Sequence, residues 1–144
     1  MAADSRDEQM EIDHIGYVVK DIHNAINIFY SMGFSTVKAP VFDSIQNLWI
    51  ALIQNENQMI ELISPDEHRA SVVNRFLSAN GPTPYHLCFR TESIEKENRK
   101  LIEQGFRMIS EISPAIVFDG KRVVFLYHQD IGMIELREEE EKDE

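Results

Sequence analysis

Cysteine is almost missing from this chain. Cys88 is the only one in 144 residues, so no disulfide can close within it. A reducing compartment, the cytoplasm, is the natural expectation. Long apolar runs are missing as well, and none approaches the roughly 20 residues that cross a bilayer as a helix. The opening MAADSRDEQM lacks the basic, apolar, small-residue order of a secretory signal, so no leader is expected. Basic charge is scarce, with 14 Lys and Arg against 25 Asp and Glu and a net charge of −11. Residues 1–11 contribute −3 of this and residues 138–144 contribute −5, which leaves −3 for the whole of 12–137. The ends are therefore expected to be solvated acidic tails, over 1–10 and 138–144, that add nothing to folding. Neither a basic stripe for a nucleic-acid backbone nor a basic amphipathic helix for a membrane surface is present.

What the chain does have is a second copy of itself. His14 lies in the apolar stretch DHIGYVV, and Gly33-Phe34 follows a helical segment 19 residues later. His86 lies in YHLCFRT, and Gly105-Phe106 follows another helical segment, again 19 residues later. Each half closes on the same four residues, MIEL, at 59–62 and 133–136. The offset between copies is 72 at the histidines and 74 at the glutamates, so only two residues of loop length separate them.

Pattern supplies the elements. Alternation and β-branching predict strands at 12–19, 35–38, 47–54 and 58–63, and again at 85–90, 107–112, 122–127 and 133–137. Residues 21–32 place Ile22, Ala25, Ile26, Phe29 and Met32 on one stripe behind an Asp21 cap and before Gly33. Residues 93–104 repeat this behind Ser93 and before Gly105. Between the copies, Val72, Val73, Phe76 and Leu77 stand at helical spacing before Gly81, which predicts a linking helix within 66–81. The fold class is therefore α+β, a single domain over 11–137. It consists of one βαβββ module at 11–65, the linking helix at 66–81 and a second module at 83–137. Neither module is large enough to bury its own sheet well, so two copies about a pseudo-twofold axis should share one core.

Strand alternation then assigns faces. Ile15, Tyr17 and Val19 oppose His14. Ile60 and Leu62 oppose Glu61, Leu87 and Phe89 oppose His86, and Ile134 and Leu136 oppose Glu135. The apolar sets can cover helices, so the other face carries two histidines and two glutamates, one of each per copy. A single buried histidine usually packs and hydrogen-bonds, and a glutamate near a strand end can face water. Four such residues at duplicated positions point instead to a divalent metal site, because carboxylates inside apolar strands are costly unless paired or bound to a metal. The remaining titratable candidates have plainer readings. Cys88 shares the face of His86 and packs as a small apolar group. His23 and His68 belong to the surface, and His128 to a turn within reach of a ligand. Asp43 lies just before a strand that would line the same cavity.

The stretch IDHIGYVVKDIHNAINIFYSMGF resembles the opening of the vicinal oxygen chelate, or glyoxalase, superfamily, and the similarity extends over roughly 11–137. That resemblance implies paired βαβββ modules forming a mixed, curved sheet around a metal-binding cavity, with helices outside. It also implies metal ligands on the first and last strands of each module, which here are His14, Glu61, His86 and Glu135. PYHLCFRTESIEKENRKLIEQGF and FDGKRVVFLYHQDIGMIEL are most similar to the methylmalonyl-CoA epimerases of that superfamily. Two positions depart from them. The epimerases carry a catalytic glutamate before the third strand, where this chain has FDSIQNLW with Asp43 as its only acid, and Tyr85 stands where they tend to have a histidine.

The implied activity is metal-dependent proton transfer beside a chelated carbonyl, in an epimerase, isomerase or lyase acting on an acyl-CoA or another thioester. Glu135 or Glu61 would be the base, with Asp43 as the outside candidate. The cofactor is one divalent ion, with nickel, cobalt, manganese, zinc and magnesium all compatible with imidazole and carboxylate ligands. The expected partner is a small molecule with vicinal oxygens, and a homodimer is among the assemblies allowed. The alternatives are a lactoylglutathione lyase-like enzyme and a non-catalytic binding or resistance protein. An oxygen-using iron enzyme or a fosfomycin-modifying relative fits less well, since those use three protein ligands.

Overall fold

The computed structural model describes residues 9–139. Most of the acidic tails expected over 1–10 and 138–144 lie outside the described residues. The first half runs β1 (Glu11–Val18), α1 (Ile22–Ser31), β2 (Ser35–Asp43), β3 (Leu48–Asn55) and β4 (Gln58–Pro65). Helix α2 (Val72–Asn80) links it to β5 (Thr83–Thr91), α3 (Ile94–Glu103), β6 (Arg107–Met108), β7 (Ser113–Pro114), a short 3-10 turn (Ile116–Phe118), β8 (Arg122–His128) and β9 (Gly132–Glu138). The strands form one open mixed sheet in the order β2-β3-β4-β1-β5-β9-β8-β6, with β7 also paired to β8. Each module runs outward in the same way from its first strand. β1 pairs in parallel with β4, and β5 in parallel with β9, while β1 and β5 join antiparallel at the centre. This is the glyoxalase-like α+β arrangement. Among the described residues, no helix is long and apolar enough to cross a membrane.

The helices begin where their caps dictate. The Asp21 side chain accepts from Asn24 N–H and the Ser93 side chain from Lys96 N–H, so α1 and α3 start one residue later than the periodicity alone suggests. The linking helix is shorter than expected. Ser71 and Asn74 form a capping box, and the chain over 66–71 is a loop in which Asp66 accepts from Trp49 Nε1 and from His68 N–H. Strand β2 is longer than expected. It is an edge strand, and the register shift between Lys38 and Val41 accommodates Pro40, which has no N–H to give the ladder. The expected strand over 107–112 is broken after Met108. There Ser110 Oγ takes the Phe125 N–H that a continuous neighbouring strand would have used.

The core has two kinds of apolar contact. Val19, Ile22, Ala25, Ala51, Ile53, Ile60 and Leu62 pack α1 against the first half, and Ile94, Phe106, Val124, Leu126, Ile134 and Leu136 do the same for α3 in the second. A third cluster joins the halves. Val18, Leu48, Ile50, Ile63 and Val73 from the first half and the linking helix meet Val117, Phe118 and Val123 from the second. This shared cluster lies on the face of the sheet that carries His14, and it forms the wall of the site.

Candidate metal centre

Sheet register brings the four residues together. Across the ladder, Glu61 on β4 aligns with Gly16 on β1, which aligns with His86 on β5. One step along, Glu135 on β9 aligns with Cys88 on β5, which aligns with His14 on β1. The two rows are pseudo-twofold copies. Each has a carboxylate and an imidazole flanking a small residue, and the long side chains lean inward over it. Gly16 cannot be larger, since a Cβ there would lie 2.2 Å from His86 Cε1.

All four side chains are buried, His14 fully and Glu61, His86 and Glu135 to within 5 %. The Oε1 atom of Glu135 lies 3.0 Å from His86 Nε2 and 3.2 Å from His14 Nε2, and Oε1 of Glu61 lies 3.5 Å from both. One ligating atom from each residue falls within 4.8 Å of every other. The donors converge but only partly satisfy one another, through a hydrogen bond between His86 Nε2 and Glu135 Oε1. His14 Nε2 is buried and makes no hydrogen bond, although a buried polar atom normally has a partner. Two imidazole nitrogens and two carboxylate oxygens aimed at one point fit a divalent cation.

The protonation of the group follows from the same crowding. Burial alone would strip the proton from His86, but hydrogen bonds and charge from Glu135 and Glu61 raise its pKa to about 9. His14 is likewise raised well above the ordinary imidazole value, as Glu61 and Asp13 outweigh burial. Burial pushes the Glu61 pKa up, and the two histidines more than reverse this, bringing it down to about 2.

Residues around the cluster fix one histidine far more firmly than the other. Asp13 Oδ2 lies 2.7 Å from His14 Nδ1. Arg137 donates to Asp13 through Nη2 and Nε at 2.6 and 3.2 Å, and Arg90 through Nη1 at 3.1 Å. Arg90 also pairs with Glu11. The Arg137 guanidinium lies over the Phe118 ring, which stacks on His14. An imidazole whose Nδ1–H is held by a carboxylate must present Nε2 to a ligand. By contrast, His86 Nδ1 is buried with no hydrogen-bond partner.

Asp13, Gly16 and the two arginines were not singled out from sequence. Alternation turns Asp13 away from His14, but a register shift between Ile12 and His14 puts Asp13 in a bulge from which its carboxylate reaches the ring. Gly16 did carry a signal, since a lone glycine inside a strand often marks a close approach.

The other candidates fall elsewhere. Asp43 is buried in the cavity lining, where Oδ1 accepts from the backbone N–H groups of Ile45 and Gln46 and Oδ2 from Gln46 Nε2. Its oxygens are thus engaged in shaping the loop over 44–47. Cys88 is fully buried, and burial raises its thiol well above the usual range. His23 and His68 are exposed. His128 Nδ1 accepts from Asp130 N–H within its turn.

A cavity of about 290 Å³ opens onto Glu61, His86 and Glu135. Its walls come from both halves, with Leu48, Ile50 and Ile63 on one side and Val123, Phe125 and Met133 on the other.

The family model of the Glyoxalase/Bleomycin resistance protein/Dioxygenase superfamily matches residues 13–125. The fold resembles several solved structures. The hypothetical protein BH1468 from Bacillus halodurans C-125 has a TM-score of 0.81 and 24% identity, over 95% of this chain and 99% of that one. A methylmalonyl-CoA epimerase from Mycobacterium tuberculosis has a TM-score of 0.78 and 26% identity, over 90% and 88%. A Streptomyces coelicolor methylmalonyl-CoA epimerase, in complex with 2-nitronate-propionyl-CoA, has a TM-score of 0.79 and 21% identity, over 93% and 100%. A comparison with curated protein sequences finds no match.

Proposed function

This chain belongs to the Glyoxalase/Bleomycin resistance protein/Dioxygenase superfamily, and we propose that it is a divalent-metal-dependent enzyme that moves a proton at the carbon next to a carbonyl. The observation that carries this reading is the convergence of four buried donor atoms, from His14, Glu61, His86 and Glu135, at the end of an apolar cavity. A divalent ion held by these four supplies a Lewis acid for a carbonyl oxygen and for the charge that builds on it when the neighbouring carbon loses a proton.

The chain's own groups do the rest. His14 and His86 would release their protons when an ion binds and offer it neutral nitrogens, and the Asp13 carboxylate at His14 Nδ1 leaves Nε2 as the nitrogen that ligates. Glu61 or Glu135 is the base, since each brings a carboxylate to the cavity end within reach of both imidazoles. A substrate filling the cavity would displace water from between the apolar walls, which strengthens every charge interaction at that end. Asp43 is the weaker candidate, because its oxygens are already engaged by the loop. Cys88 adjoins the Asp13–His14 pair, but burial holds its thiol well above the usual range, so it is no activated nucleophile and proton transfer is the chemistry the arrangement best supports.

Exchange of a substrate's α-hydrogen with solvent deuterium tests this directly. The panel includes methylmalonyl-CoA, the hemithioacetal of methylglyoxal with glutathione, and simple 2-hydroxy ketones, incubated with metal-loaded protein. At least one should exchange, and only with metal present. Glu135→Gln or Glu61→Gln should slow exchange by about 10²–10⁴-fold, the usual range for a lost general base. If Asp43→Asn abolishes exchange while both glutamine variants stay active, the base is wrongly assigned. If nothing in the panel exchanges while small molecules bind tightly, the protein is a binding module.

A further inference from the structure

The cavity also bears on what kind of carbonyl compound enters. Among the described residues, no lysine or arginine lines it, nor the adjoining recess that shares Asp43, Gln46, Ser110 and Phe125 with it. The charged side chains facing these spaces, apart from those at the cluster itself, are the acids Asp43 and Glu111. The rest of the lining is mainly aliphatic and aromatic, with Gln46, Ser110 and Ser113 as its neutral polar side chains. Toward solvent the lining ends in exposed apolar side chains, Ile45 (75% exposed) in the recess and Val72 (76%) and Ile109 (49%) in the cavity. These three come from separate places, namely the loop before β3, the first residue of α2 and the segment after β6. Lys38, on β2, already donates to the carbonyl of Val117 and to Asp119.

We infer that the substrate carries an uncharged, apolar body from its oxygen pair to the mouth of the cavity, rather than an anionic carrier. Phosphates and carboxylates are gripped by arginine and lysine, and a carrier such as CoA or glutathione would meet Asp43 and Glu111 with no cation lining its path. An alkyl or aryl body would instead cover the aliphatic walls and the exposed rim, where burial of apolar surface favours binding. The inference relies on the proposed metal site only for the anchoring of the two oxygens. It also separates this chain from the acyl-CoA compounds named for the epimerases whose fold it shares.

Hydroxamates are suitable probes because they chelate divalent ions through two adjacent oxygens. Affinities would be measured by calorimetry for a series from acetohydroxamate to octanohydroxamate, each paired with a counterpart ending in a carboxylate, on manganese-loaded and on metal-stripped protein. The neutral series should tighten by about fourfold per added methylene until the cavity is filled, and each terminal carboxylate should cost about tenfold or more. Val72→Lys and Ile45→Lys, both at exposed positions, should recover much of that loss for the carboxylate series alone. Affinity independent of chain length, or equal binding of the paired compounds at every length, would overturn the inference. If the chain-length dependence survives metal stripping unchanged, the apolar substrate class stands and the metal reading of the site falls. If metal is required but chain length is irrelevant, the metal reading stands and the inference falls.

Discussion

Two imidazoles in equivalent positions are held in very different ways. His14 is locked through Asp13, which two arginines and the Phe118 ring keep in place. His86 depends on its fit over Gly16 and on the carboxylates in front of it. Asp13→Asn should therefore weaken metal binding by about 10–100-fold, the usual cost of losing an outer partner of a ligating histidine. Competition against a chromophoric chelator would measure this, and an unchanged affinity would show that Asp13 is merely structural. The shifted pKa values also set a pH dependence for the metal-free protein. His86 is raised from 6.5 to about 9, so the stability it gives is complete below about 6.5 and lost as pH rises through about 9. Glu61 is lowered from 4.5 to about 2, so its contribution is complete above about 4.5 and lost as pH falls through about 2. The thermal midpoint of stripped protein should peak between these limits and decline toward alkaline pH. A midpoint that climbs steadily from about pH 6.5 to about pH 9 would contradict the assignment.

At the scale of the element, each strand that contributes to the cluster has separate tasks on its two faces. In β4, Leu62 is completely buried among Ile22 and Ala25 of α1, while Glu61, its neighbour, points to the cluster. Leu62→Ala should cost about 2–5 kcal/mol in chemical denaturation and leave metal content intact. Glu61→Gln should instead lower metal affinity, along with the stability that its charge lends the two histidines. If Leu62→Ala alone strips the metal, the two faces are not separable. The same alternation made the site faces legible in the sequence, because period-2 patterning is local. What escaped the pattern depends on long-range partners. The bulge that brings Asp13 to His14 needs β5 in register, and the break after Met108 needs the Ser110 hydroxyl to compete for Phe125. The late start of α2 at Val72 depends on a cap that apolar spacing does not weigh.

At the scale of the whole molecule, duplication was the strongest signal. The equal spacing of His14 to Gly33 and His86 to Gly105 announced two modules, and their meeting at β1 and β5 makes one cluster from both. Which residues form the walls was less legible, since Val117 and Phe118 lie in a short turn and reach the shared core only through the folded sheet. The central claim is that one divalent ion sits between the modules, held by two residues of each. Elemental analysis of protein stripped by chelator and then reloaded tests it most directly. The account predicts close to one ion per folded chain, and a sharp fall in both His14→Ala and His86→Ala with the circular dichroism of the fold retained. Metal content unchanged in both variants would contradict it.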